Sequence, residues 1–124
     1  MARILVVDDE PHLARLMTVW LRQNGHEITQ ADNGLTALEL LNRCDFELLV
    51  TDVSMPHMDG LKLIEALGER ELPHGIIVLT ARHDYEHLSS LYSKEHIRLL
   101  PKPFPPKRIL KLIEELLAPA PVGL

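Results

Sequence analysis

The chain has 124 residues, the size of one ordinary domain, with 46% apolar and 25% charged residues. That composition argues against disorder, and a formal net charge of −5 argues against nucleic acid or an anionic membrane surface as a partner. A single cysteine, Cys44, excludes an internal disulfide framework and suits a reducing cytosol, so a cytoplasmic location is expected. No apolar run approaches the roughly 18 residues of a membrane span, and the four apolar residues after Arg3 are too few for a signal-peptide core.

In chain order, short apolar runs alternate with helix-period stretches, the pattern of an α/β domain with a parallel sheet. Ile4–Val7 is the first predicted strand. Leu13, Leu16, Met17, Trp20 and Leu21 follow at helical spacing, stopped by Asn24-Gly25. Residues Ile28 to Ala31 form the second strand, and Leu35, Leu38 and Leu41 mark a second helix opening at Asn33-Gly34. The third strand is Leu48–Val50, and Leu61, Ile64 and Leu67 mark the third helix. The fourth strand, Ile76–Leu79, leads into a short helix carrying Tyr85, Leu88 and Leu91. Leu99-Leu100 is the fifth strand. Pro105-Pro106 opens a last helix, where proline suits the first turn. Its stripe of Ile109, Leu112, Ile113 and Leu116 is widened by Leu110 and Leu117. The expected domain is 1–117, with 118–124 a Pro/Ala-rich tail or a truncated interdomain linker.

Strands one, three and four are continuous apolar runs, as expected where helices cover both faces. Strand two is mixed, and strand five contains Pro101, so both read as edges. These features predict a doubly wound (βα)5, flavodoxin-like fold with a five-stranded parallel sheet in the order 2-1-3-4-5. Ligands bind such sheets at the carboxyl edge, where the winding reverses.

The residues just past the central strands are Asp8-Asp9, Asp52, Thr80 and Lys102. A single aspartate at a strand end is ordinarily a cap or turn residue. Three carboxylates converging on one edge repel each other and call for a cation. An all-oxygen donor set favours a hard divalent ion such as Mg²⁺. Phosphoryl transfer is the chemistry that follows, with Asp52 as nucleophile and Thr80 and Lys102 on the transferred oxygens.

In this order and at these intervals the motifs are highly specific. They are Ile4-Leu5-Val6-Val7-Asp8-Asp9-Glu10, Ala31-Asp32-Asn33-Gly34, Thr51-Asp52 with Met55-Pro56-His57-Met58-Asp59-Gly60, Leu79-Thr80-Ala81, and Lys102-Pro103-Phe104. Over roughly residues 3 to 117 the chain resembles the receiver domain of two-component response regulators. The resemblance implies that Asp52 accepts a phosphoryl group from a sensor histidine kinase or a phosphotransfer protein. It implies Mg²⁺ held by Asp9, Asp52 and the backbone carbonyl of Ser54, with Asp8 orienting a metal-bound water. It also implies Thr80 and Lys102 as phosphoryl-binding residues and a cis Lys102–Pro103 bond. Such a protein is a signalling phosphoacceptor that catalyses only its own phosphorylation and dephosphorylation. Phosphorylation is expected to remodel the face of the fourth helix, fifth strand and fifth helix, for partner binding or a homodimer through that face.

The sequence departs from the family at Leu99, where receivers usually carry an aromatic switch residue, and at Glu95-His96, which replace a small pair. Pro101 before Lys102 is unusual, and Ser54 and Arg82 occupy positions that tune attack of water on the acyl phosphate. Leu99 motivates the alternative of a receiver-fold interaction module not switched by phosphorylation; the intact aspartates, Thr80 and Lys102 argue against it. A flavin site is disfavoured because Asp8-Asp9-Glu10 would repel a phosphate, and no second substrate site for a phosphatase is evident. His83 and His87, four apart, read as a solvated helix start, and Trp20 as core. Lys107, Arg108 and Lys111 are too few cations for nucleic acid.

Overall fold

A computed structural model describes residues 2–55, 58–68, 72–91 and 96–118. Five strands, β1 (Arg3–Val7), β2 (Glu27–Ala31), β3 (Leu48–Asp52), β4 (Ile76–Ala81) and β5 (Ile97–Lys102), form one sheet in the order β2-β1-β3-β4-β5. Every pairing is parallel. Five helices connect and follow them: α1 (Pro11–Gln23), α2 (Gly34–Arg43), α3 (Gly60–Leu67), α4 (Tyr85–Leu91) and α5 (Pro106–Leu117). The doubly wound order predicted from strand composition is the one observed.

Alternation along the strands splits the core into two layers. Ile4, Val6, Leu48, Val50, Ile77, Leu79 and Leu100 face one side, beneath Met17 and Leu21 of α1 and Ile109 and Ile113 of α5. Leu5, Val7, Leu49, Ile76, Val78 and Ile97 face the other, beneath Ala37 and Leu41 of α2 and Leu63 and Leu67 of α3. Both faces of β1, β3 and β4 are therefore buried, which is why those strands lack polar alternation.

The helices start where local chemistry predicts. Asn33 caps α2 by accepting the Thr36 N–H at 2.9 Å, and Asp59 caps α3 by accepting the Lys62 N–H at 2.9 Å. Pro11 and Pro106 open α1 and α5, where a missing N–H is harmless. Pro101 is explained by register. The Ile76 N–H donates to the His96 carbonyl, so Ile76, Val78 and Thr80 turn their backbone groups toward β5. Their register partners Ile97, Leu99 and Pro101 then point outward, and the donor that proline lacks falls on the open edge.

The structure corrects several side-chain assignments. Leu16 and Leu35, placed on core stripes by spacing, are 48% and 51% exposed. Leu110 and Leu117 are half-buried against the α1/α5 core layer and line a groove with Asn24 and His26 beside the end of α1. The widened stripe of α5 thus faces α1, away from α4. His83 belongs to a 3-10 turn (Arg82–Asp84) ahead of α4, with its Nε2 3.4 Å from Asp84, so His83 and His87 do not share one α-helical face. The described part of α4 runs from Tyr85 to Leu91, and Glu95 lies outside the described residues. His57 also lies outside them.

Gly34 lets α2 approach the β3–α3 loop: a Cβ there would stand 2.3 Å from the Met58 carbonyl oxygen. Backbone cannot yield as a side chain can. Gly34→Ala is therefore expected to cost about 1–3 kcal/mol and lower Tm by roughly 5 °C or more, read by thermal denaturation.

Candidate functional site

Period-two alternation carries the α1/α5 layer into the site. Asp8 continues Ile4 and Val6, Asp52 continues Leu48 and Val50, and Lys102 continues Leu100. The strands are parallel and in register, so these three side chains meet at the carboxyl edge. Lys102 Nζ lies 3.0 Å from Asp52 Oδ2 and 3.4 Å from Asp8 Oδ2. Asp52 is thus paired with Lys102. Asp8 is 2% exposed and Asp52 7%, while Asp9 beside them is exposed. One carboxylate oxygen from each of Asp8, Asp9 and Asp52 lies within 4.8 Å of the others.

Thr80 follows the opposite parity, that of Ile76 and Val78. It is buried, and its hydroxyl makes one long contact, donating to the Ala81 carbonyl at 3.4 Å. It reaches the same edge from the other face, a distinction that reading strand ends alone does not draw. Ser54 sits in the bend after β3 with an exposed side chain. The Lys102–Pro103 peptide bond is cis.

Two further residues shape the site. The first Asp8 carboxylate oxygen accepts the Glu10 N–H at 2.9 Å, which folds the chain from β1 into α1 and leaves the second oxygen for Lys102. Gly60 brings the start of α3 onto the strand: a Cβ there would meet the Asp52 carbonyl oxygen at 2.2 Å. Spacing from Asp52 could have flagged Gly60; its contact could not be read without coordinates.

Burial pushes the Asp8 carboxyl above its ordinary range, and the Asp52 charge adds to this; the Glu10 N–H and Lys102 only partly offset it. Burial alone would lower the Lys102 ammonium. The hydrogen bond and charge of Asp52, with those of Asp8, outweigh burial and hold it above the ordinary lysine range. The site therefore keeps a fixed cation between two carboxylates, one of which ionises at a cost. A hard cation would relieve that cost, and the all-oxygen donor set suits Mg²⁺.

The model of the response regulator receiver domain matches residues 4–114. The chain belongs to the response regulator receiver family. An uncharacterized 14.6 kDa protein from Leptolyngbya boryana is 39% identical over 116 residues, covering 90% of this receiver and 87% of that protein. A response regulator receiver protein from Anaeromyxobacter is 35% identical over 112 residues; 90% of this receiver matches 47% of that longer protein. The receiver thus spans about half the length of that relative. Among solved structures, the chemotaxis response regulator CheY4 of Vibrio cholerae superposes with a TM-score of 0.83 at 28% identity, over 94% of this receiver and 99% of that chain. Among the described residues no helix is long and apolar enough to cross a membrane.

The raised Asp8 pKa has a definite sign. A carboxyl held above its unfolded value stabilises the fold below that unfolded value, and this contribution is lost as pH rises through the folded value. Asp8→Asn should therefore raise Tm at pH 7 without divalent ions. The advantage should shrink as pH falls through the acidic range in which Asp8 protonates, read as Tm against pH for both proteins.

Proposed function

We propose that this receiver is a phosphorylation-activated switch. In this reading Asp52 takes a phosphoryl group from a phosphohistidine of a sensor histidine kinase or phosphotransfer protein. The observation that carries it is the Lys102–Asp52 contact inside a converging cluster of three carboxylates. The switching domain in this reading is residues 1–117, with 118–124 a tail or linker.

The Asp52 carboxylate attacks phosphorus in line, the new P–O bond forms as the P–N bond breaks, and the imidazole departs. Lys102 is charged at neutral pH, because its pKa is raised, and moves its contact from the Asp52 oxygen to a phosphoryl oxygen. The Thr80 hydroxyl, held among the described residues by a 3.4 Å contact to its neighbour's carbonyl, turns toward a second oxygen. Asp9, Asp52 and the Ser54 carbonyl would hold Mg²⁺, with Asp8 acting through a bound water. When bound, Mg²⁺ neutralises charge on the transferred oxygens.

The acyl phosphate adds about one negative charge to the edge that Lys102 already neutralises. Thr80 leads through Ala81 into the 3-10 turn and α4, and Lys102 leads into α5. Any displacement of the pair is delivered to the α4–β5–α5 face, where it alters partner binding or self-association. A second reading keeps the fold as an interaction module without a phosphate switch. Leu99 favours it, since this half-buried leucine packs into the α2/α3 core layer where an aromatic switch would stand.

Incubation with acetyl phosphate and Mg²⁺ should add the mass of one phosphoryl group to the intact protein and none to Asp52→Asn. No gain in the unsubstituted protein would refute the switch. Lys102→Ala should slow the gain by roughly 10²–10³, the loss expected for one electrostatic donor. At low ionic strength, Mg²⁺ at ten times its Kd should stabilise the protein by about 1.4 kcal/mol, an effect absent in Asp9→Asn.

A further inference from the structure

The amino edge of the sheet, opposite the acidic site, is organised around His26. The turn from α1 to β2 passes through Gly25, whose φ of 87° favours glycine, and the His26 N–H donates back to the Leu21 carbonyl at 3.2 Å. That turn presents the half-buried His26 ring to the start of β1, where the Ala2 N–H donates to its Nδ1 at 3.2 Å. Ala2 is 2% exposed and belongs to the core layer beneath α1 and α5. Its carbonyl accepts the Glu27 N–H at 2.9 Å, so His26 and Glu27 together pin Ala2 to the start of β2. On its other side His26 lines a groove of about 270 Å³ with Leu110, Glu114 and Leu117 of α5.

A ring nitrogen accepts an N–H only while it is unprotonated, so the Ala2 contact belongs to the neutral imidazole alone. We infer that His26 is a proton-operated latch: neutral, it clamps the start of β1; protonated, it releases the Ala2 N–H and turns to the Glu114 carboxylate across the groove. Two N–H donors repel, so a charged ring leaves Ala2. Histidine is the side chain whose ordinary titration falls in the range where such a change is reached near neutral pH. Burial holds the His26 ring below the usual histidine value, and the positive amino terminus lowers it further, while Glu47 opposes both.

The charged groups around the ring make Glu114 its destination. Glu47, just before β3, accepts the Arg3 N–H at 3.1 Å with one oxygen and lies 3.4 Å from His74 Nε2 with the other. Glu27 stands 3.5 Å from Arg3 Nε, and Arg22 at the end of α1 donates to the Ile28 carbonyl at 3.2 Å. Glu114 makes no ion pair among the described residues. A histidine held below its unfolded value stabilises the fold above that unfolded value, and the contribution is lost as pH falls through the folded value. Here the loss falls on the anchor of β1 beneath α5, in the layer that contains Ala2, Leu21 and Ile113. The latch is therefore an input at the opposite edge from Asp52, independent of the phosphoryl chemistry proposed above.

Nitrogen NMR of the histidine rings in the full chain tests it. Near about pH 7.5 His26 should be the Nε2–H tautomer, and it should titrate below the ordinary histidine range. Across that titration the exchange protection of the Ala2 and Glu27 amides, corrected for intrinsic rate, should fall by roughly tenfold or more. The fall should be absent in His26→Asn, whose side-chain carbonyl accepts the same N–H at every pH. Glu114→Gln should leave the tautomer unchanged and lower the His26 midpoint, because the charged ring loses its acceptor. An Nδ1–H tautomer at neutral pH or a midpoint at or above the ordinary range would overturn the latch, and both are read on the unsubstituted chain. Protection that falls equally in His26→Asn, or a midpoint unmoved by Glu114→Gln, would overturn it as well.

Discussion

One lysine between two carboxylates organises this molecule. Asp8 follows β1 and Asp52 ends β3 on the same parity, so the hydrogen-bond register of these neighbouring strands brings two acids together in a nearly dry edge. Removing charge from water is expensive, and like charges at that range make it worse. Lys102, from β5, two places from β3 and three from β1 in the sheet, reaches both at 3.0 and 3.4 Å and makes the arrangement tolerable. The stem of this contact is the strand order itself. Only with β3 and β4 between β1 and β5 does Lys102 approach across the edge from the β4 side.

The same arrangement makes the site responsive. Lys102 is shared, so whatever adds charge at Asp52 competes with Asp8 for it. Asp8 is the weaker holder, with the longer contact and a carboxyl whose ionisation burial opposes. Redistribution of the lysine is thus a local electrostatic event at the end of β5, and the peptide bonds on either side of Lys102 involve Pro101 and Pro103. Proline fixes φ, which leaves fewer backbone dihedrals at which motion can be absorbed before it reaches α5. A stiff junction transmits displacement that a flexible loop would dissipate.

Much of this was legible in the sequence because burial and topology are tightly linked in parallel sheets. A strand covered on both faces must be apolar throughout, so β1, β3 and β4 announced their central positions, and the polar content of β2 and Pro101 in β5 announced the edges. The acids and Lys102 were found because parallel strands deliver their carboxyl ends to one place. What spacing could not show is parity relative to a neighbouring strand. Thr80 and Lys102 both end strands, yet Lys102 enters on the α1/α5 side and Thr80 on the other. Helix stripes failed at their margins for a related reason. Leu16 and Leu35 lie where a helix face turns away from the sheet, and Leu110 and Leu117 turn toward α1, because the neighbour of a helix is set by tertiary placement and not by its own period.

Gly60 shows how closely fold and site are coupled. Its missing Cβ lets the start of α3 lie against the Asp52 carbonyl, while the Gly60 N–H donates to the Val53 carbonyl at 2.9 Å. The Val53 N–H in turn donates to the Leu79 carbonyl at 3.0 Å. The backbone around Asp52 is therefore held on both sides, by β4 and by the loop returning to α3. A carboxylate anchored in this way cannot retreat if charge is added to it, so in the proposed reading the accommodation comes from the partners that are held less firmly. Thr80, with one long hydroxyl contact, and Lys102, divided between two acids, are those partners, and both lie on strands that lead directly into the α4–β5–α5 face.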